Sequence, residues 1–180
     1  MSGLAACGRK PDTTADGDSG SGEIRIVAAK RGDLGKVKAL LKGNPDLVFS
    51  KDTNGWTLLH FAAAKGQKDV ALLLLARNAE VNAKDNEGQT PLHWAAGYGH
   101  QDVAAFQMAN KAEVNATNDC GWTPLHLAAS SGRRDTAELL LASKSEVNAK
   151  DKDAKTPFRL TTDNGHKDVV EMLRQHGGHE

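Results

Sequence analysis

Aromatic residues are scarce in this chain, with four Phe, three Trp and one Tyr among 180 residues. A sheet-based core leans on aromatic and β-branched side chains, and only two isoleucines accompany them. No excess of one charge exists, because 23 Lys and Arg balance 23 Asp and Glu. That balance argues against a nucleic-acid binder and against a protein lying on anionic lipid, since both need a basic surplus. Two cysteines, Cys7 and Cys120, are too few for a disulfide scaffold and lack zinc-type spacing. The longest apolar run, Val70 to Ala76, is far short of the roughly 20 residues of a membrane-crossing helix.

Alanine and leucine are plentiful instead, at 26 and 19 residues. Such a composition favours closely packed helices over sheets. The length suits one domain with a sizeable core. The first 22 residues, MSGLAACGRKPDTTADGDSGSG, differ in character from the rest of the chain. Gly, Ser, Asp and Thr dominate from Pro11, so residues 1–22 are expected to be a flexible N-terminal segment, with 8–22 as a linker.

From Glu23 the pattern becomes helical, and then it repeats. Gly55, Gly88, Gly121 and Ala154 are each 33 residues apart. Thr57, Thr90, Thr123 and Thr156 form a second column, and Leu58, Pro91, Pro124 and Pro157 a third. His60, His93, His126 and Arg159 come next in register, as do Gly66, Gly99, Gly132 and Gly165. Units close on Val81-Asn82-Ala83, Val114-Asn115-Ala116 and Val147-Asn148-Ala149. A repeat of this depth outranks every other sequence signal.

Each unit has a local physical logic. Thr followed by Pro is a helix N-cap with Pro at the first helical position, where its missing N–H costs nothing. A short Ala-rich helix such as Pro91 to Ala96 is closed by a glycine such as Gly99. A second helix, about Asp69 to Arg77, carries an Asp in its first turn, where the helix dipole favours an anion. The turn Asp85-Asn86-Glu87-Gly88 then projects from the helix pair. One such unit cannot bury its own apolar face, so units must stack.

The tracts GQTPLHWAA (88–96), GWTPLHLAA (121–129), LLLLARNAEVNA (72–83) and LLLASKSEVNA (139–149) closely resemble the ankyrin repeat. The resemblance covers residues 23 to 180. It implies an all-α solenoid, an L-shaped stack of helix pairs with β-hairpin fingers along one edge. The units expected are an N-terminal cap at 23–52, repeats at 53–85, 86–118 and 119–151, and a C-terminal repeat at 152–180. The cap lacks TPLH but keeps Ala28-Ala29, Gly32 and Leu40-Leu41 in register, with one inserted residue near Pro45. The last unit places Arg159, Thr161, Thr162 and Arg174 on the face expected to end the stack.

The TPLH histidines do not read as a metal site. Equivalent residues in stacked helices lie roughly 8–10 Å apart, whereas zinc ligands converge at about 2 Å from one ion. Hydrogen bonding around the helix start is the expected role of His60, His93 and His126. His176 and His179 sit in a Gly-Gly tail expected to be too flexible to hold a metal. No phosphate loop, nucleophile elbow or HExxH motif occurs, so no enzymatic activity, metal or cofactor is expected. Lys68, Arg133, Arg134 and Lys167 make a weak basic column, which Asp69, Asp135 and Asp168 neutralise. Leu4-Ala5-Ala6-Cys7 has the shape of a bacterial lipobox, but only six residues precede Cys7, and a signal needs a charged segment and 7–15 apolar residues. Lipidation of Cys7 therefore requires a start further upstream. As written the chain is expected in the cytoplasm, with a bacterial envelope lipoprotein as the alternative.

The resemblance implies that function rests on exposed, non-framework positions beside the finger glycines and before the helix-closing glycines. Trp56, Tyr98 and Trp122 fall in those columns, and Trp and Tyr are enriched at binding hot spots. Trp94 shares a column with Phe61, Leu127 and Leu160 and is assigned to the core. The chain therefore reads as a non-catalytic, monomeric scaffold or adaptor that binds another protein through its fingers and concave face. Trp56, Tyr98 and Trp122 are the anchors, and Asn54, Lys65, Glu87, Gln89 and Lys155 the polar surround. An accessory subunit of an enzyme is the rival reading.

Overall fold

A computed structural model describes residues 21–180, with side chains from Ile26 onward. Residues 1–20 of the expected N-terminal segment, Cys7 among them, lie outside these residues, whereas Ser21 and Gly22, expected to end the linker, begin the first helix. Helix α1 (Ser21–Arg31) pairs with α2 (Leu34–Gly43), followed by a 3-10 turn at Pro45–Val48 that takes up the extra residue of the cap. Four further pairs complete the stack, α3 (Leu58–Ala64) with α4 (Lys68–Leu75), α5 (Pro91–Tyr98) with α6 (Gln101–Ala109), α7 (Pro124–Ser130) with α8 (Arg134–Ala142), and α9 (Pro157–Asp163) with α10 (Lys167–Gln175). Odd-numbered helices contact one another in sequence as an inner layer, and even-numbered helices form the outer layer.

Small residues set the spacing of the inner layer. Ala62-Ala63, Ala95-Ala96 and Ala128-Ala129 are all buried, beside Leu59, Leu92 and Leu125. Alanine lets neighbouring backbones approach, and leucine fills the space between the layers. In the outer layer Leu74, Leu140 and Leu173 are likewise buried. The helix pair closes as expected at Gly99, whose φ of 80° is left-handed.

Side chains from one repeat seal the turn of the previous one. A Cβ on Gly66 would lie 2.6 Å from Nδ1 of His100, so glycine is required there by close approach as well as by its φ of +67°. His100 Nε2 donates to the Ala64 carbonyl at 3.1 Å, His166 Nε2 to Ser130 at 3.1 Å, and Arg133 Nε to Gly97 at 3.3 Å. At the other end of each pair, asparagines clamp the next loop. Asn82 donates to the Lys111 carbonyl at 3.3 Å and accepts from Glu113 N–H at 2.9 Å. Asn115 does the same with Lys144 and Glu146, and Asn148 with Gly177 and His179.

The last clamp corrects the reading of the tail as loose. Thr156 Oγ1 also donates to the His179 carbonyl at 2.7 Å, and Gly178 N–H to Leu173 at 2.7 Å. The tail thus occupies the place that the next loop fills elsewhere in the stack. On the terminal face Arg159 is exposed and pairs with Asp163 at 3.0 Å, while the Arg174 guanidinium covers Phe158 at 5.6 Å. Thr161 differs from expectation. It is buried, and its hydroxyl donates to the Pro157 carbonyl at 2.6 Å. An i−4 backbone bond of this kind lets a hydroxyl replace alanine inside the stack.

Each finger is a tight turn rather than an extended ladder, and no strand occurs among the described residues. Asp85 N–H donates to the Gln89 carbonyl at 3.0 Å, the closing pair of a minimal hairpin, and the other fingers repeat it. Successive fingers are joined by one backbone bond each, from Asn86 to Asn54, Asp119 to Glu87, and Lys152 to Cys120, all at 3.0 Å.

One framework position breaks the pattern. Gln107 occupies the column of Leu74, Leu140 and Leu173 and is fully buried, yet neither its Nε2 nor its Oε1 has a hydrogen-bond partner. Desolvating such an amide without partners costs about 1–3 kcal/mol. Gln107→Leu should raise the stability of the array by an amount in that range with the fold unchanged. The urea midpoint measures it, and a fall in the midpoint would contradict the unsatisfied state of the amide.

Candidate functional site

The inner helices and the finger bases form the surface on which the expected binding residues lie. Its geometry begins at the Thr-x-x-His segments. Thr57, Thr90 and Thr123 N–H each donate to Nδ1 of the histidine three residues on, at 3.0, 3.1 and 3.1 Å. A backbone N–H can only donate, so Nδ1 is the acceptor and Nε2 carries the proton. Nε2 then donates across to the next repeat, His60 to Gln89 at 3.1 Å, His93 to Trp122 at 2.9 Å and His126 to Lys155 at 3.3 Å, in each case to the carbonyl. The histidines therefore do more than hydrogen-bond around their own helix start. They bridge repeats.

Burial lowers the pKa of His60 and of His93 to about 4, and lowers that of His126 as well. The imidazoles are thus neutral at physiological pH, as their hydrogen bonds require. Among the described residues no group of three or more His, Cys, Asp or Glu side chains is arranged to hold a metal.

The finger bases are held by a second column. Asp52, Asp85, Asn118 and Asp151 each accept, through Oδ1, the N–H groups two and four residues on, at 2.7–3.0 Å. Asp85 also accepts the indole N–H of Trp94 at 3.0 Å, and its carboxyl is pushed up by burial. Asp151 accepts the indole N–H of Trp122 from the preceding repeat at 2.9 Å.

These contacts sort the expected site residues. Trp56 is only 5% exposed, which corrects its reading as a surface anchor. Its ring lies 4.6 Å from Trp94 and 4.8 Å from Phe61, wedged between repeats. Gln89 is 2% exposed and is likewise removed from the rim. Its Nε2 donates to Glu87 at 3.0 Å. Trp122 is half-buried and joins two fingers through its indole N–H. Tyr98 is half-buried within a row of rings in which Trp56 packs on Trp94, Trp94 stacks on Tyr98 at 6.3 Å, and Tyr98 stacks on the His100 imidazole at 6.3 Å. Asn54, Lys65 and Glu87 are exposed, and half-buried Lys155 pairs with Asp163 at 3.3 Å. In the basic column Arg133 reaches back to Gly97, and Arg134 pairs with Glu138 at 3.1 Å.

Sequence reasoning missed the contact between Trp56 and Trp94, although two tryptophans in adjacent repeats, in columns five positions apart, were a usable signal. It also missed one sealing column, in which Gln67 lies against Gly32 and His100, Arg133 and His166 bond to the turn of the preceding repeat.

Comparison with known proteins agrees with the repeat architecture. A family model described as ankyrin repeats (3 copies) matches residues 25–118 and 104–180. The chain is 44% identical over 68 residues to the E3 ubiquitin-protein ligase XBAT33 of Arabidopsis thaliana, covering 37% of this chain and 13% of that protein. It is 40% identical over 55 residues to the 2-5A-dependent ribonuclease of Mus musculus, covering 31% and 8%. It is 36% identical over 58 residues to ankyrin repeat domain-containing protein 35 of Homo sapiens, covering 32% and 6%. The chain thus matches only a small part of the length of these relatives.

The site's chemistry sets two outcomes. Between pH 6.5 and about 4 the unfolded chain binds protons on His60 and His93 that the folded chain does not. Their contribution is therefore complete above pH 6.5 and lost as pH falls toward 4. At pH 5 each should have lost about 2 kcal/mol. Urea midpoints at pH 7.5 and pH 5 measure this, and His93→Gln should remove one histidine's share of the slope. Separately, Trp56→Ala should lower stability by about 3–5 kcal/mol, as for a core aromatic. Thermal unfolding distinguishes that from the near-neutral change of a surface residue.

Proposed function

Because the chain belongs to the ankyrin repeat family, we propose that it holds its protein partner on the concave side, centred on Tyr98 and the exposed edge of Trp122. Ankyrin stacks are protein–protein interaction modules, and the repeat domain itself is non-catalytic. Asn54, Lys65, Glu87 and Lys155 make the polar surround of the proposed contact. Trp56 and Gln89 support it from below.

The observation that carries the reading is the aromatic row of Trp56, Trp94 and Tyr98. Trp94 on one side and the His100 ring at 6.3 Å on the other hold the ring of Tyr98, which stays half-buried. A half-exposed aromatic held rigid loses little conformational entropy on binding, which is the property of a hot-spot side chain. The enzyme names of relatives belong to proteins that extend far beyond the matched segment, and no such activity is ascribed to these repeats.

Affinity capture from the source organism's lysate, followed by mass spectrometry, identifies the partner. Titration with the purified partner then provides the test. Tyr98→Ala should weaken binding at least 30-fold, about 2 kcal/mol. Lys65→Ala should weaken it only a few-fold, as rim charges do. If Tyr98→Ala retains full affinity while folding normally, the contact surface lies elsewhere on the stack.

A further inference from the structure

We infer that α6 is the joint at which the stack opens to solvent first, because Gln107 gives this helix a reason to admit water that its neighbours lack. The three outer helices α4, α6 and α8 are each covered on both sides by another outer helix. Leu74, Gln107 and Leu140 are their equivalent buried residues, one in the last turn of each helix. Gln107 has two buried polar atoms without partners, whereas no such atom occurs on α4 or α8. In the closed state the amide loses its water and gains nothing. In an open state it is hydrated, so the open state of α6 is favoured relative to those of α4 and α8 by the desolvation that closure imposes.

Opening of α6 need not disturb the inner layer. Its partner α5 is held independently by the His93 bond to the Trp122 carbonyl and by the Trp94 bond to Asp85. The side-chain bonds that tie the ends of α6 to other repeats, His100 to Ala64, Gln101 to Asp135 and Asn82 to Lys111, are wholly or partly solvent-accessible. Water can replace such bonds at small cost. In a repeat array each unit contacts only its neighbours, so a local weakness produces a local opening rather than a uniform loss of stability. The outer surface around α6 is therefore the adaptable side of the molecule, and the inner face is the constant one.

Native-state hydrogen exchange read helix by helix tests this. Amides in the body of α6 (Ala104–Ala109) should exchange at least tenfold faster than those of α4 (Ala71–Leu75) and α8 (Ala137–Ala142), after correction for intrinsic rates. Gln107→Leu should slow α6 at least tenfold and α4 and α8 less than threefold. Gln107→Met, unbranched and of similar length, should do the same if Leu packs poorly there. Equal protection of the three helices in the unaltered protein would overturn the inference. So would a variant that slows all three alike, or one that leaves α6 as fast as before.

Discussion

The bond from each Thr-x-x-His histidine to the next repeat's backbone is the interaction on which the stack depends. Its two ends serve different elements. Nδ1 receives the N–H of the Thr that caps its own inner helix, and Nε2 gives its proton to the carbonyl at the base of the following finger. The helix cap therefore sets the tautomer, and the tautomer makes the inter-repeat bond available. Burial keeps the ring neutral, and neutrality is required because a proton on Nδ1 would oppose the Thr N–H. Local capping, ionisation state and stacking register are one arrangement.

The unit at 152–180 lacks this bond. Arg159 replaces histidine in the last unit, and a guanidinium has no acceptor atom with which to receive the Thr156 N–H. There the Thr156 hydroxyl donates instead to the His179 carbonyl, and the tail is pinned by Asn148. The Thr and Asn columns of the full repeats make these contacts, with residues 177–179 in the place that the next loop takes elsewhere. Arg174 over Phe158 covers the apolar surface that a further repeat would have met.

Much of this is legible in the sequence because the repeat supplies its own alignment. Thr, Pro and Gly columns state their local chemistry directly, and Gln107 stands out because three leucines share its column. Depth is harder to read. Trp56, Gln89, Trp122 and Lys155 are equivalent along the backbone, yet the first two are buried and the last two half-exposed. Periodicity establishes equivalence of position, whereas burial depends on what the adjoining repeat places behind the side chain. Trp94 stands behind Trp56, and an indole N–H bond to Asp151 holds Trp122 across two fingers. The tail misleads for a similar reason. Gly177-Gly178 suggests slack, but the partner that removes the slack, Asn148, lies 29 residues earlier than Gly177.

The scaffold's own demands also bear on where recognition is concentrated. In the last repeat Lys155 and Arg159 both pair with Asp163, and Arg159 reaches Glu180 as well. A partner competing for those charges must first break existing pairs, so they add little net attraction. The row of rings instead runs through the first and second full repeats, from Trp56 through Trp94 and Tyr98 to His100, with exposed Lys65 and Glu87 in those same repeats. In the proposed contact, apolar area and accessible charge therefore coincide in the first and second full repeats, and Lys155 adds less than Lys65 and Glu87. A partner in that contact would meet repeats one to three, whose inner layer carries the histidine bonds.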